Sequence, residues 1–154
     1  MRYTSLLFAI LALSVTGCAH KPAAQRRPTG KHIAAHGGSL NAIVTCENGH
    51  AEVKIEGAVM HLWFVGGGSD TAQAVRVPDK SIAISVNAGG VAKTLVLHPT
   101  PLALAGESIG DCSCFEGQAA WLTGLTKFTA NGRVTFRGTQ APLRIEYPGG
   151  YDPD

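Results

Sequence analysis

The sequence predicts an all-β protein: an antiparallel β-sandwich of about seven or eight strands with one short helix, following a signal peptide and a flexible linker. Three observations lead to this fold class. Apolar and polar residues alternate along 50–56, the period of a strand with one buried face. Glycine-containing turn signals separate short β-rich segments through the rest of the chain. The apolar positions of neighbouring segments also share one face when the predicted turns set their registers.

The first three predicted strands, at 40–47, 50–56 and 59–65, form two hairpins. Asn48-Gly49 favours a two-residue turn in the first hairpin, and Gly57-Ala58 favours a type II′ turn in the second. The predicted cross-strand pairs are Cys46–Ala51 and Val44–Val53, then Ala51–Phe64, Val53–Leu62 and Ile55–Met60. Cys46 is therefore expected on the core face.

The later elements are also short. Strands are predicted at 75–77, 81–86, 91–97, 126–130, 133–137 and 143–147. Residues 106–117 are expected to form an irregular loop, and 118–125 a short helix. A three-residue turn over 130–132, with Gly132 left-handed in a bulge, is predicted because it sets Phe128 opposite Val134.

The N terminus carries the most informative motif of the chain. Arg2 precedes an apolar segment over 6–15, and Val15-Thr16-Gly17-Cys18 follows. This arrangement resembles the signal peptide and lipobox of bacterial lipoproteins, in which cleavage precedes the cysteine and a diacylglycerol is joined to its sulfur. The apolar segment is shorter than a membrane-spanning helix, and its small-residue end is typical of a cleavage site. An uncleaved anchor and a plain secretory signal are the alternatives.

This resemblance implies a signal peptide over 1–17, a lipidated Cys18 with a basic linker over 18–35, and a β domain over 36–154. It also implies an envelope protein. Ala19 stands where, in enteric bacteria, an Asp is associated with retention at the inner membrane. By that analogy we expect the chain at the periplasmic face of the outer membrane.

Charge is unevenly distributed along the chain. The linker before His36 has no acidic residue and four basic ones: Lys21, Arg26, Arg27 and Lys31. From His36 onward there are 8 basic and 11 acidic side chains. A basic linker beside a lipid anchor would bind anionic headgroups, although a solvated tether explains the same composition. The acidic domain argues against nucleic acid as a partner.

Three cysteines remain if Cys18 carries lipid. Because the envelope is oxidising, we expect a disulfide from Cys46 to Cys112, with Cys114 as the alternative partner. Such a bridge would stabilise the fold by about 2–4 kcal/mol. Reduced Cys112 and Cys114 form a C-x-C pair that suits a soft ion, so Cys114 is also a possible thiol ligand.

Histidines provide a second set of candidate ligands. His50 lies just after the predicted Asn48-Gly49 turn, opposite Glu47, and His36 lies at the predicted start of the domain. His50 and His61 share a face, but about 13 Å along the strand separates them, too far for one metal ion. Exposed histidines with carboxylate neighbours are the alternative to a metal site.

Two patches of the sequence resemble a small periplasmic β-sandwich domain associated with bacterial heavy-metal efflux systems. They comprise His36-Gly37-Gly38, Gly49-His50-Ala51-Glu52-Val53 and Trp63-Phe64-Val65, then 115–122 and Lys127-Phe128-Thr129-Ala130. The resemblance implies a β-sandwich and metal handling, with His36 and His50 at the matching polar positions.

The sequence therefore favours a lipid-anchored periplasmic binding protein that assists heavy-metal efflux or homeostasis. Its predicted ligands are His36, His50 and Glu47, with Cu or Zn as the metal. Its expected partners are the membrane, through the lipid, and metal-efflux or other envelope proteins. The alternative is a disulfide-stapled interaction module in which an exposed Trp63 contacts another protein. No enzyme activity is predicted: Ser108 lies in a G-x-S-x-G pattern, but the helix that this nucleophile motif requires does not follow.

Overall fold

The structure, a computed structural model, describes residues 32–68 and 70–153. The predicted signal peptide and the lipidation site Cys18 lie outside the described residues. Within the described ranges, no helix has the length and apolarity to cross a membrane. Regular structure there is β except for two single-turn 3₁₀ helices, which confirms the predicted all-β class.

Eight strands make up the fold. They are β1 (Ser39–Ile43), β2 (Thr45–Glu56), β3 (Val59–Val65), β4 (Ile82–Ala88), β5 (Val91–Pro99), β6 (Cys114–Gln118), β7 (Phe128–Phe136) and β8 (Thr139–Tyr147). The 3₁₀ helices are Ala103–Ala105 and Ala120–Leu122. The second lies within the predicted short helix at 118–125.

The strands form one antiparallel sheet in the order β1-β2-β3-β6-β5-β4-β7-β8. The sheet is nearly closed, because its edge strand β1 lies against β8 and the C-terminal segment. The Ala42 N–H donates to the Tyr151 carbonyl at 2.7 Å, and the Glu146 N–H donates to Asn41 Oδ1 at 2.8 Å. The predicted sandwich is thus a single curved sheet around one core. Phe64 on β3 reaches Phe136 on β7 across that core, with 6.2 Å between ring centroids.

The hairpin of β2 and β3 confirms the predicted register. Its pairs include Ala51–Phe64, Val53–Leu62 and Ile55–Met60, as the alternation and the Gly57-Ala58 turn predicted. All six of these residues except Ile55 are buried. This hairpin therefore presents His50, Glu52, His61 and Trp63 together on the outer face of the sheet.

The predicted pairing of β1 with β2 is wrong. Asn48-Gly49 lies inside β2, and the chain reverses near Val44, whose φ is 68°. Ala51 consequently pairs with Asn41 rather than with Cys46. Residues 46–49 bulge out between the Ile43–Thr45 and Ala42–His50 pairs. This irregularity forms one wall of the candidate site.

The second Asn-Gly pair also lies inside a strand. Asn131-Gly132 belongs to β7, so the predicted turn at 130–132 is wrong, and the chain reverses at Arg137-Gly138, where φ is 49° and 79°. A Cβ at Gly132 would lie 2.8 Å from Ile84 Cγ2. This glycine therefore permits β4 to approach β7 closely.

Two later expectations also change. The predicted strand at 75–77 forms only one isolated bridge, between Val77 and Cys112. The predicted irregular loop at 106–117 contains the first residues of β6, which pairs with both β3 and β5.

Candidate metal centre

His32, Cys46 and His50 bring three potential metal-ligand atoms together beside the bulge of β2. These atoms all lie within 4.8 Å of one another. The three residues line a cleft of about 390 Å³ that the C-terminal residues Gly150 and Asp152 also border. Cys46 and His50 are buried, and His32 is half-buried. The cluster therefore joins the N-terminal segment, β2 and the C-terminal segment.

The bulge explains the position of Cys46. Because residues 46–49 leave the β1–β2 ladder, the Cys46 side chain lies beside the C-terminal segment, where its Sγ donates to Asp152 Oδ1 at 3.1 Å. At the other end of the bulge, the backbone of Gly49 packs against the ring of Phe136, and a Cβ on Gly49 would lie 2.4 Å from Phe136 Cζ. Only glycine allows so close an approach, and this packing against Phe136 fixes the bulge between Cys46 and His50.

His32 reaches the cluster because the N-terminal segment folds back over the outer face of β2. The Thr71 hydroxyl donates to the Ile33 carbonyl at 2.7 Å. Farther along, Glu52 Oε1 accepts hydrogen bonds from the N–H groups of His36 and Gly38, each at 2.8 Å. The residues on both sides of Ala34 are thus attached to the domain.

The contacts of His50 define which ring nitrogen can bind a metal. Nδ1 lies 3.1 Å from the Gly66 carbonyl, which can only accept, so Nδ1 carries the proton. Nε2 then presents its lone pair to His32 Nδ1, 3.1 Å away. Burial lowers the pKa of His50, and this effect outweighs the hydrogen bond to the Gly66 carbonyl, which acts in the opposite direction. A neutral imidazole oriented by a backbone carbonyl is the usual state of a metal-ligating histidine.

Two imidazole nitrogens and a thiolate form a donor set that suits Zn(II) or copper and not Mg²⁺ or Ca²⁺, which prefer oxygen. The Asp152 carboxylate borders this donor set through its contact with Cys46 and is not itself one of the clustered residues. Nitrogen and sulfur ligands of a tetrahedral Zn²⁺ lie about 3.3–3.8 Å apart, so the cluster could close on an ion with shifts of about 1 Å.

Of the three predicted ligands, the structure brings only His50 into this cluster. His36 Nδ1 lies 2.9 Å from Glu52 Oε2, and its ring stacks on Trp63 with 4.3 Å between centroids. Glu47 is exposed on the bulge and is not among the clustered residues. Trp63 is half-buried, because the His61 ring also stacks on it at 5.4 Å.

The predicted Cys46–Cys112 disulfide is absent from the described residues. The corrected strand register removes Cys46 from the core face, whereas Cys112 is part of the core and its Sγ donates to the Cys114 carbonyl at 3.0 Å. Burial, together with the nearby carboxylate of Glu116, raises the pKa of Cys114 to about 12. At neutral pH Cys114 is therefore a thiol, the poorer form for metal binding.

His32 and Cys46 are the cluster residues outside the predicted ligand set. The sequence assigns Cys46 to a disulfide and His32 to the linker, where it pairs with His36 only if that segment becomes ordered. Neither residue is separated from His50 by the number of residues typical of a metal-binding motif. The folded-back N-terminal segment brings His32 to the site, and the bulge brings Cys46 there.

Protonation of His50 is expected to destabilise the fold under acidic conditions. The unfolded chain takes up this proton near the ordinary value of 6.5, whereas the folded chain resists it because burial lowers the pKa. The unfolded state therefore binds more protons between the two pKa values, and the free energy of unfolding falls as pH decreases through that window. Chemical unfolding with a chelator present, over a pH series, should show this slope, and His50→Gln should flatten it. Equal slopes in both proteins would contradict the assignment.

Comparison of the chain with protein-family models, curated proteins and solved structures gave no match, so its functional interpretation rests on the geometry of this site.

Proposed function

We propose that this protein is a lipid-anchored, periplasmic metal-binding protein that holds one Zn(II) or copper ion at His32, Cys46 and His50. The observation that carries the proposal is the convergence of two imidazoles and one thiol within 4.8 Å. The carbonyl of Gly66 supports it, because it leaves Nε2 of His50 available to an ion.

The N-terminal motif supports the proposed location. By the lipobox resemblance Cys18 would carry a lipid, and His32 follows it in the same segment of the chain. An ion bound at His32 would therefore lie near the membrane surface. A binding protein there would serve as an accessory to heavy-metal efflux or homeostasis, which is also what the two patches around His36-Gly37-Gly38 and 115–122 suggest by resemblance.

Titration of the detergent-purified protein with Co²⁺ under reducing conditions tests this function. We expect one thiolate-bound Co²⁺ per chain, recognised by its near-ultraviolet charge-transfer absorption and displaced by Zn²⁺. Cys46→Ser should abolish this absorption. The matched control, Cys114→Ser, should retain it, because Cys114 lies outside the cluster. Failure to retain any ion, or an absorption that survives in Cys46→Ser, would refute the proposal.

A further inference from the structure

A second group of potential ligands lies on the outer face of the sheet, away from the first. His61 on β3 pairs with Glu116 on β6, and Glu116 pairs in turn with His98 on β5. The residues that flank them in sequence, Leu62, Phe115 and Leu97, are fully buried. Because side chains alternate along strands, His61, Glu116 and His98 all point away from the core in one row across three strands.

Each neighbouring pair of the row is directly opposed across the sheet. Directly opposed residues of antiparallel strands have Cβ atoms about 4.5–5.5 Å apart. His61 Nδ1 already lies 3.0 Å from Glu116 Oε1. Nitrogen and oxygen ligands at about 2.1 Å from one metal ion are about 3.0–3.4 Å apart, so a metal could replace the proton in this hydrogen bond. His98 is opposite Glu116 on β5, and its side chain is exposed. Its ring nitrogens and the ligand atoms of His61 and Glu116 are not all within 4.8 Å of one another, so binding one ion requires the His98 side chain to turn toward the carboxylate.

The charge around the row favours a cation. Lys54 is opposite His61 on β2, but its Nζ lies 2.5 Å from Glu56 Oε1. The second oxygen of Glu56 lies 3.6 Å from His61 Nε2. Two carboxylates therefore surround His61 against one ammonium group, so the local balance is negative.

We infer that His61, Glu116 and His98 form a second metal-binding site for a divalent ion such as Zn²⁺. Two imidazoles and one carboxylate suit Zn²⁺, Ni²⁺ or Cu²⁺. His98 is exposed and Glu116 half-buried, so the site opens to solvent and exchanges its ion faster than the buried centre. None of its residues belongs to that centre, so the two sites are independent.

Zn²⁺ titration of a protein that lacks the first centre tests this inference. In the Cys46→Ser/His50→Ala variant, calorimetry should detect one remaining Zn²⁺. Adding His98→Ala or Glu116→Gln should lower the affinity for this ion at least tenfold, whereas adding His36→Ala should leave the affinity unchanged. The inference is overturned if the double variant binds no Zn²⁺, or if neither His98→Ala nor Glu116→Gln changes its affinity for Zn²⁺.

The result is separable from the test of the first centre. A wild-type protein that retains a thiolate-bound ion while the double variant binds none would leave the proposed function intact and remove only the second site. If the wild type held no thiolate-bound metal but bound an ion that depended on His98, the second site would be supported and the proposed function refuted.

Discussion

His50→Ala is expected to weaken Zn²⁺ binding at least about 100-fold, whereas His36→Ala leaves it within a few-fold of the wild type. His50 contributes a buried, neutral imidazole whose Nε2 faces the cluster, and alanine removes that donor outright. His36 instead directs Nδ1 to Glu52 and stacks on Trp63. The two variants thus remove the same chemical group from the two sequence-predicted ligand positions.

Competition against a chromophoric chelator measures this difference, because a tight chelator removes any weakly bound surface ion and reports only the first centre. Circular dichroism of both variants shows that the fold is retained. If His36→Ala lost as much affinity as His50→Ala, the ligand set predicted from the sequence would be favoured over the cluster of His32, Cys46 and His50. If neither variant lost affinity, the ion would lie elsewhere.

The parts of the fold that could be predicted from the sequence are those fixed by local residues. The β2–β3 hairpin has a two-residue turn at Gly57-Ala58 and strict alternation on either side, so pattern and turn specify one register. The all-β class follows in the same way from repeated short alternating segments.

The two Asn-Gly pairs show where prediction of turns from neighbouring residues fails. Both resemble hairpin turns, yet Gly49 is required by the Phe136 ring and Gly132 by Ile84. These contacts come from strands distant in sequence, so a window around either glycine contains no sign of them. The error at Gly49 shifted the predicted partner of Cys46, and the predicted disulfide depended on that position.

The candidate centre could be predicted only in part for a related reason. His50 was identifiable as a polar residue on the outer face of β2. Its partner His32 lies in a segment without periodicity, which is held to the domain by side-chain and backbone hydrogen bonds rather than by a ladder. Cys46 depends on the bulge. The site is thus assembled by tertiary contacts that carry no sequence motif.

Glu52→Ala is expected to lower the free energy of unfolding by about 2–4 kcal/mol and to weaken Zn²⁺ binding, although Glu52 is not a ligand. Its side chain is fully buried. Oε1 accepts from the N–H groups of His36 and Gly38, and Oε2 lies 2.9 Å from His36 Nδ1. Alanine would leave these donors without their acceptor and release the segment that carries His32.

Glu52→Gln separates the hydrogen bonds to the backbone from the contact with the imidazole. An amide oxygen in the Oε1 position still accepts from His36 and Gly38, so the loss should be about 1 kcal/mol, and Zn²⁺ affinity should stay near that of the wild type. Denaturant unfolding with a chelator present, and Zn²⁺ competition on the same variants, give the two readouts. Equal stability of Glu52→Ala and wild type would mean that the segment is held by other contacts. Unchanged Zn²⁺ affinity in a destabilised Glu52→Ala would mean that His32 reaches the ion without this attachment, and that Cys46 and His50 dominate the centre.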